Sequence, residues 1–180
     1  MASDTVRPSE GRRMKLTLKI TGGLLAAVRS DLSRPHAFAH ERVGFISAGL
    51  SSLGSDVLLI ARSYRPVVDQ DYLDDPSVGA MMGPEAIRKA LQWAMGEGHA
   101  MLHVHTHGGC GIPGFSSIDV RENAKFVPNF HKVAPKCAHG ALVLSDDAAR
   151  GQVWLERGCT PTPIDAFVEI GNSLRKWSPA

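Results

Sequence analysis

The sequence lacks the features that mark several classes of protein. Its 180 residues include only three cysteines, an odd number without a Cys-x-x-Cys spacing, which argues against a disulfide framework and against a thiolate cage around zinc. Long apolar runs are also absent, because Lys19 interrupts the first one and residues 22–28 form a poor secretion core. We therefore expect no signal peptide, no membrane span and a reducing, cytoplasmic setting.

An excess of one charge is missing as well. Twenty Lys and Arg residues stand against 18 Asp and Glu residues, and the two signs are interspersed. This balance gives no electrostatic reason to expect nucleic acid or an anionic membrane as a partner. Residues 1–13 are rich in polar side chains and are predicted to form a mobile tail, whereas residues 14–180 have the composition of one globular domain.

Hydrophobic periodicity and turn residues predict alternating strands and helices, which favours a mixed α/β (α+β) fold. The predicted strands begin at residue 15 and lie at 40–47, 57–62, 101–105, 141–144 and 152–155. The predicted helices lie at about 24–32, 84–95, 117–126 and 164–174. The second and third strands are expected to form a hairpin around a turn at residues 49–56, and a glycine-rich loop follows the 101–105 strand.

Four of the eight histidines fall within nine residues, namely His99, His103, His105 and His107. Residues two apart in a strand share a face, so His105 and His107 can present their imidazoles to one metal ion. His103 is expected to pack beneath them or to orient one of them. Asp119 follows at the start of a predicted helix and can return its carboxylate to the same ion. Two imidazoles and one carboxylate leave a fourth tetrahedral position for water, as in catalytic zinc sites. Alternatively, the histidines are ordinary strand residues beside a glycine loop.

A water bound in this way needs a base, and Glu41 is the candidate because it precedes the apolar stretch 43–46 in a predicted strand. The alternative for Glu41 is a solvated residue at a sheet edge. Ser116 lies three residues before Asp119 and can donate a hydrogen bond to a developing oxyanion or cap the helix that follows. The two roles of Ser116 are compatible.

These residues together resemble the motif of the JAMM (JAB1/MPN/Mov34) metalloprotease family. The family pattern is a distant Glu, then His-x-His, then Ser-x-x-Asp, and here Glu41, His105-Thr106-His107 and Ser116-Ser117-Ile118-Asp119 are similar to it. The resemblance implies a single MPN/JAB1-like domain with a curved mixed β-sheet flanked by helices. It also implies one Zn²⁺ per chain held by His105, His107 and Asp119, with Glu41 as acid/base and Ser116 supporting the tetrahedral intermediate.

The resemblance spans roughly residues 15–157 and implies a zinc-dependent, deubiquitinase-like isopeptidase or peptidase. Its substrate would be a ubiquitin-like protein cleaved after the C-terminal Gly, in a groove whose expected walls are residues 65–83 and 108–115. The short free-standing domain resembles prokaryotic members, including some encoded beside ubiquitin-like conjugation enzymes in antiphage operons. Two alternatives stay open: a non-catalytic MPN scaffold, and a JAMM peptidase that processes a sulfur-carrier precursor.

The sequence departs from the family pattern in the loop between the second His and the Ser. Eight residues, 108–115, stand where the family usually has seven, and Gly108 replaces a common Pro. A loop containing four glycines can absorb one extra residue without moving its ends, so we expect the site to survive. Because the loop is one residue longer, two alternatives stay open: either Ser116 or Ser117 faces the oxyanion.

Overall fold

The computed structural model describes residues 13–171 and 175–178 of the chain. Its three α-helices in this part are α1 (Gly22–Leu32), α2 (Pro84–Glu97) and α3 (Ser117–Phe126). Short 3₁₀ helices occupy Asp69–Asp71 and Val127–Lys132. The strands are β1 (Leu16–Thr21), β2 (Val43–Leu53), β3 (Asp56–Pro66), β4 (Tyr72–Leu73), β5 (Met81–Met82), β6 (Ala100–Thr106), β7 (His139–Leu144), β8 (Ala149–Trp154), β9 (Thr162–Pro163), β10 (Ala166–Ile170) and β11 (Arg175–Trp177).

Nine of these strands form one mixed sheet in the order β11-β10-β1-β3-β2-β6-β7-β8-β9, and β4 pairs with β5 in a separate small hairpin. The pairs β1–β10, β1–β3 and β6–β7 are parallel, whereas the other neighbours in the large sheet run antiparallel. A curled mixed sheet with three α-helices in a single domain confirms the predicted α+β class. None of the described helices is both long and apolar enough to cross a membrane.

Strand β6 lies in the interior of the sheet, between β2 and β7, and is buried on both faces. Its residues alternate, so Leu102 and Val104 pack with α1 in one core, whereas Met101 packs with Trp93 and Phe130 in the other. The second core lies under α2 and the 3₁₀ helix that follows α3. His103 and His105 share the face of Met101, which directs them towards α3.

The predicted hairpin is confirmed, but its predicted turn at 49–56 is wrong. Strands β2 and β3 pair as far as Leu53 and Asp56, so the turn consists of Gly54 and Ser55. Gly49, Ser51 and Ser52 favour a loop in the sequence, yet they lie in the paired strand. The tight reversal depends on Gly54, whose φ of 61° is readily adopted by glycine.

The predicted helix at 164–174 is also wrong, because this segment contains β10. Ala166, Phe167 and Val168 are buried, and β10 pairs in parallel with β1 in the register Leu18 to Phe167. A short buried strand has no alternation of apolar and polar residues, so periodicity alone does not distinguish it from a helix. Residues 172–174 lie outside the described residues.

The predicted N-terminal tail falls mostly on residues 1–12, which lie outside the described residues. Arg13 is the first residue described, and its guanidinium lies 2.9 Å from the carboxylate of Asp165. Asp165 also accepts a hydrogen bond from the Leu16 amide at 2.8 Å. These contacts join the start of β1 to the residue that precedes β10.

Candidate metal centre

The end of β6 positions two histidines side by side. His105 is almost fully buried, and His107 follows the strand as its amide donates to the Leu144 carbonyl at 3.0 Å, extending the pairing with β7. The hydroxyl of Thr106 donates to the same carbonyl at 3.1 Å. The Nε2 atoms of His105 and His107 lie 3.1 Å apart, so the structure brings these two predicted residues together.

The first turn of α3 delivers Asp119. Ser116 is the N-cap, its hydroxyl oxygen accepts from the Asp119 amide at 3.1 Å, and the Asp119 carboxylate accepts from the Ser116 amide at 2.7 Å. This reciprocal pair is a capping box, which fixes both residues at the helix start. Oδ1 of Asp119 lies 3.4 Å from His105 Nε2, and Oδ2 lies 3.3 Å from His107 Nε2.

These three side chains have the spacing of metal ligands. In a tetrahedral zinc site with bonds of about 2.0–2.1 Å, two ligand atoms lie about 3.3 Å apart. The three separations here are 3.1, 3.3 and 3.4 Å. Two imidazole nitrogens and one carboxylate also suit several divalent metals, so the residues fit an ion of this kind without selecting zinc among them.

Burial and hydrogen bonding set the charge states around the centre. Burial raises the pKa of Asp119, but its hydrogen bonds and charge interactions with His105 and Ser116 outweigh this effect, so the pKa lies well below its usual range. Burial lowers the pKa of His103 to about 3. The His103 ring stacks on His105 with centroids 5.6 Å apart, and its Nδ1 lies 3.2 Å from Asn123 Oδ1. His103 therefore packs against His105, as expected.

Glu41 reaches the same place from a different part of the chain. The expectation that it lies in a strand is wrong, because β2 begins at Val43 and the Glu41 amide donates to the Gly79 carbonyl at 3.0 Å instead of to a neighbouring strand. Its side chain is 30% exposed, and Oε1 lies 4.0 Å from His107 Nε2. Ligand atoms of Glu41, His105 and His107 all lie within 4.8 Å of one another.

Ser116 and Ser117 are both exposed at the start of α3. The capping role predicted for Ser116 is confirmed, since its oxygen accepts from the Asp119 amide. A hydroxyl whose oxygen accepts a bond can still donate its proton. Ser116 therefore retains a donor beside the Asp119 carboxylate, whereas Ser117 is the first residue of the helix.

Two clefts flank Glu41. The first has a volume of about 380 Å³, and the second about 560 Å³. The first runs between α3 and the β4–β5 hairpin, with an apolar lining that includes Val43, Val78, Ala80, Met81, Met82, Ile87, Ile118 and Phe126. The second is more polar and includes Arg34, His36, His40, Arg42, His107, Gly108 and Asp146. Of the two expected walls, the 65–83 loop lines the first cleft only through residues 78–82, and the 108–115 loop reaches the second cleft only through Gly108.

Three residues around Glu41 were not anticipated from the sequence: Arg42, Tyr72 and Gly79. Arg42 is only 2% exposed and its guanidinium donates to Asp69 Oδ1 at 2.7 Å. The Tyr72 hydroxyl accepts from the Val43 amide at 2.8 Å. Because their partners lie far away in sequence, local patterns contain no signal that could have revealed them.

Comparisons with known proteins add little. No family model matches the chain, and no curated protein matches it. Among solved structures, the chain is similar to the N-terminal domain of STIL from Trichoplax adhaerens, with 13% sequence identity and a TM-score of 0.38. The match covers 76% of this chain and 41% of the STIL chain, so this chain spans about two fifths of that structure's length.

Proposed function

We propose that the protein is a zinc-dependent isopeptidase or peptidase of the JAMM type, which cleaves after the C-terminal Gly of a ubiquitin-like protein. One observation carries this proposal. Glu41, the pair His105 and His107, and Asp119 come from three separate segments of the chain. Atoms of His105, His107 and Asp119 lie 3.1, 3.3 and 3.4 Å apart, and Oε1 of Glu41 lies 4.0 Å from His107 Nε2. Removal of a conjugated protein and maturation of a precursor, including a sulfur-carrier precursor, would use the same site.

The metal ligands would be His105, His107 and Asp119. Zinc, when bound, supplies a Lewis acid that lowers the pKa of water and polarises a carbonyl group. The low pKa of Asp119 keeps its carboxylate ionised at neutral pH, as a ligand must be. The Nε2 atoms of His105 and His107 already face each other and that carboxylate, so the ligand atoms need little rearrangement to receive an ion.

Glu41 would act as general base and then as general acid. Its Oε1 lies 4.0 Å from His107 Nε2, beside the ligands, where it can take a proton from the attacking water and return it to the leaving amine. The Ser116 hydroxyl would donate to the oxygen on which negative charge develops. The reaction then needs no nucleophile from the protein.

The two clefts suit a substrate that extends on both sides of the scissile bond, since Glu41 lines both of them. The apolar cleft, walled by residues 78–82, would hold one flank of an extended chain and the polar cleft the other. A ubiquitin-like conjugate has such flanks, because its C-terminal tail and the lysine-bearing partner meet at one bond. A cytoplasmic setting, expected from the cysteine content, and a place beside a bacterial antiphage conjugation system, implied by the family resemblance, belong to the same proposal.

Metal content tests the proposal directly. After loading with zinc and removal of excess ion, mass spectrometry of the intact protein should find one zinc per chain, and His107→Ala should lose it. His99→Ala is the matched control, because His99 contacts Glu97 at 2.9 Å and precedes the opposite end of β6. Wild-type protein that takes up no zinc would overturn the proposal.

A further inference from the structure

The position of Glu41 is set by a segment outside the large sheet. Glu41, Arg42 and Val43 are consecutive, and each is bonded to a residue between Asp69 and Gly79. The segment 69–79 therefore binds three successive residues just before and at the start of β2. The orientation of Glu41 depends on this segment, and so does one wall of the apolar cleft.

Arg42 provides the first attachment. Its guanidinium donates to Asp69 Oδ1 at 2.7 Å, to the Pro35 carbonyl at 2.7 Å and to the Arg34 carbonyl at 2.8 Å. The hydrogen bond to Asp69 is the main reason that the pKa of Arg42 is raised. The residue after Glu41 is thus fixed to two different stretches of chain.

Tyr72 provides the second attachment. Its hydroxyl accepts from the Val43 amide at 2.8 Å and donates to the Val43 carbonyl at 3.3 Å. Burial raises the pKa of Tyr72 to about 12, so the hydroxyl keeps its proton and can serve both bonds at neutral pH. The start of β2 is thereby held to β4.

Gly79 provides the third attachment and touches the carboxylate itself. Its carbonyl accepts from the amides of His40 at 2.8 Å and Glu41 at 3.0 Å. A Cβ at this position would lie 2.6 Å from Cδ of Glu41 and 2.8 Å from both carboxylate oxygens. Gly79 is not among the glycines with positive φ, so the need for glycine here is one of space.

The turn that presents Gly79 is itself organised by Asp75. Oδ1 of Asp75 accepts from the Ser77 amide at 2.9 Å and from the Ser77 hydroxyl at 2.6 Å. An Asp that accepts from the residue two positions on forms an Asx turn, which fixes the direction of the chain that follows. This Asx turn therefore stabilises the backbone that brings Gly79 close to Glu41.

We propose that Gly79 is the positioning residue for Glu41: its bare Cα forms the surface against which the carboxylate rests, with Oε1 4.0 Å from His107 Nε2. This inference rests on the proposed function for its catalytic meaning, although the contact itself does not. A side chain at position 79 would push the carboxylate away from its place, while the proposed ligands, which lie on β6, directly after β6 and on α3, would stay where they are.

The first test measures the carboxylate without metal or substrate. In zinc-free protein carrying ¹³C at its glutamate carboxyls, the Glu41 resonance is assigned with Glu41→Gln, and Gly79→Ala should shift it at pH 7. Gly96→Ala is the matched control, since a Cβ there meets nothing within 4 Å, and it should leave the resonance in place. Asp75→Ala loosens the turn without adding a side chain near Glu41, and it should also shift the Glu41 resonance. An unmoved Glu41 resonance in a folded Gly79→Ala protein would overturn the inference.

The second test separates positioning from a merely structural role. With a ubiquitin-like protein bearing a C-terminal aminocoumarin amide as the probe, Gly79→Ala should retain one zinc per chain and a similar KM but show a kcat lower by on the order of 100-fold, as expected for a displaced catalytic group. A fall in zinc content equal to the fall in kcat would contradict positioning. Wild-type protein that binds no zinc and cleaves nothing would reject the proposed function, whereas the resonance shift would still decide whether Gly79 sets the place of Glu41.

Discussion

At the scale of single residues, the proposed site combines proposed metal ligands at the ends of regular elements with a proposed base in an irregular segment. His105 lies in β6 and Asp119 in the capped first turn of α3, whereas Glu41 precedes β2 and depends on Gly79. The two groups can therefore be perturbed separately. Metal binding and proton transfer should respond to different substitutions.

Glu41→Gln should separate these two properties. The amide cannot take a proton from water, so hydrolysis should fall by roughly 100-fold or more, while zinc content stays at one per chain. Glu122→Gln is the matched control, because Glu122 lines the same cleft but pairs with Lys125 and Arg121. Parallel assays of zinc content and probe cleavage provide the measurement. Equal cleavage by the two variants would remove Glu41 from the proposed mechanism.

Ser116→Ala and Ser117→Ala should differ in stability. The Ser116 hydroxyl caps α3, so its loss should lower the free energy of unfolding by about 1 kcal/mol, whereas no capping bond involves Ser117. Urea unfolding of the zinc-free variants measures this difference. Cleavage by the zinc-loaded variants then shows which hydroxyl supports the oxyanion, and a full loss confined to Ser117→Ala would transfer that role from Ser116.

At the scale of elements, the attachment of the β4–β5 hairpin to the start of β2 is the contact that completes the site. Tyr72→Phe removes the hydroxyl that pairs with both polar groups of Val43, and a buried amide left unpaired costs about 1–3 kcal/mol. We expect a lower free energy of unfolding together with a lower kcat, because Glu41 lies only two residues before Val43 in the chain.

Tyr64→Phe is the control for this element. The Tyr64 hydroxyl donates to Asp31 at 2.6 Å, and its ring packs with the core on the α1 side of the sheet. This variant should also lose stability in urea unfolding but keep its kcat. If both variants lowered kcat equally, the effect of Tyr72 would be one of general stability and the hairpin would have no special role.

At the scale of the whole molecule, a buried histidine makes stability depend on pH. His139 is fully buried, its Nδ1 accepts from the Met101 amide and its Nε2 donates to the Ala134 carbonyl, so it joins β6, β7 and the chain after α3. Burial lowers the pKa of His139 from 6.5 to about 4. Between these two values the unfolded chain binds a proton that the native protein does not, so stability should fall as the pH falls.

The size of this effect can be measured by urea unfolding between pH 7 and pH 4. One proton taken up on unfolding changes stability by at most about 1.4 kcal/mol per pH unit. His139→Gln should reduce the slope by about that amount in this window, while the low pKa of His103 keeps some slope of the same sign. An identical slope for His139→Gln and wild type would contradict the assignment.

The local parts of this fold were predictable from the sequence. Alternation predicted the β2–β3 hairpin and the shared face of His105 and His107, and the predicted helix at 117–126 coincides with α3, whose capping box lies within four residues. Each of these features depends on neighbours close in sequence. Short windows of the sequence are therefore enough to predict these features.

The parts that failed depend on distant partners. Strand β10 is defined by its pairing with β1, and Glu41 is placed by a carbonyl 38 positions further along, at Gly79. Neither partner leaves a trace in local periodicity, so the sequence pattern alone predicts a helix at β10 and a strand at Glu41. The base of the proposed site could be named from the sequence, but not the segment that holds it.

The parallel pairing of β1 with β10 has a consequence for synthesis of the chain. Thr17 pairs with Ala166, so one edge of β1 has no partner until almost the whole sheet has been made. At about 5–20 residues per second, a ribosome needs on the order of ten seconds to reach β10. During that time the outer edge of β1 presents unpaired amides and carbonyls, which can pair with strands of other chains. Nascent chains should therefore be most prone to aggregation before β10 emerges, and chaperones that bind extended segments would be expected to act there.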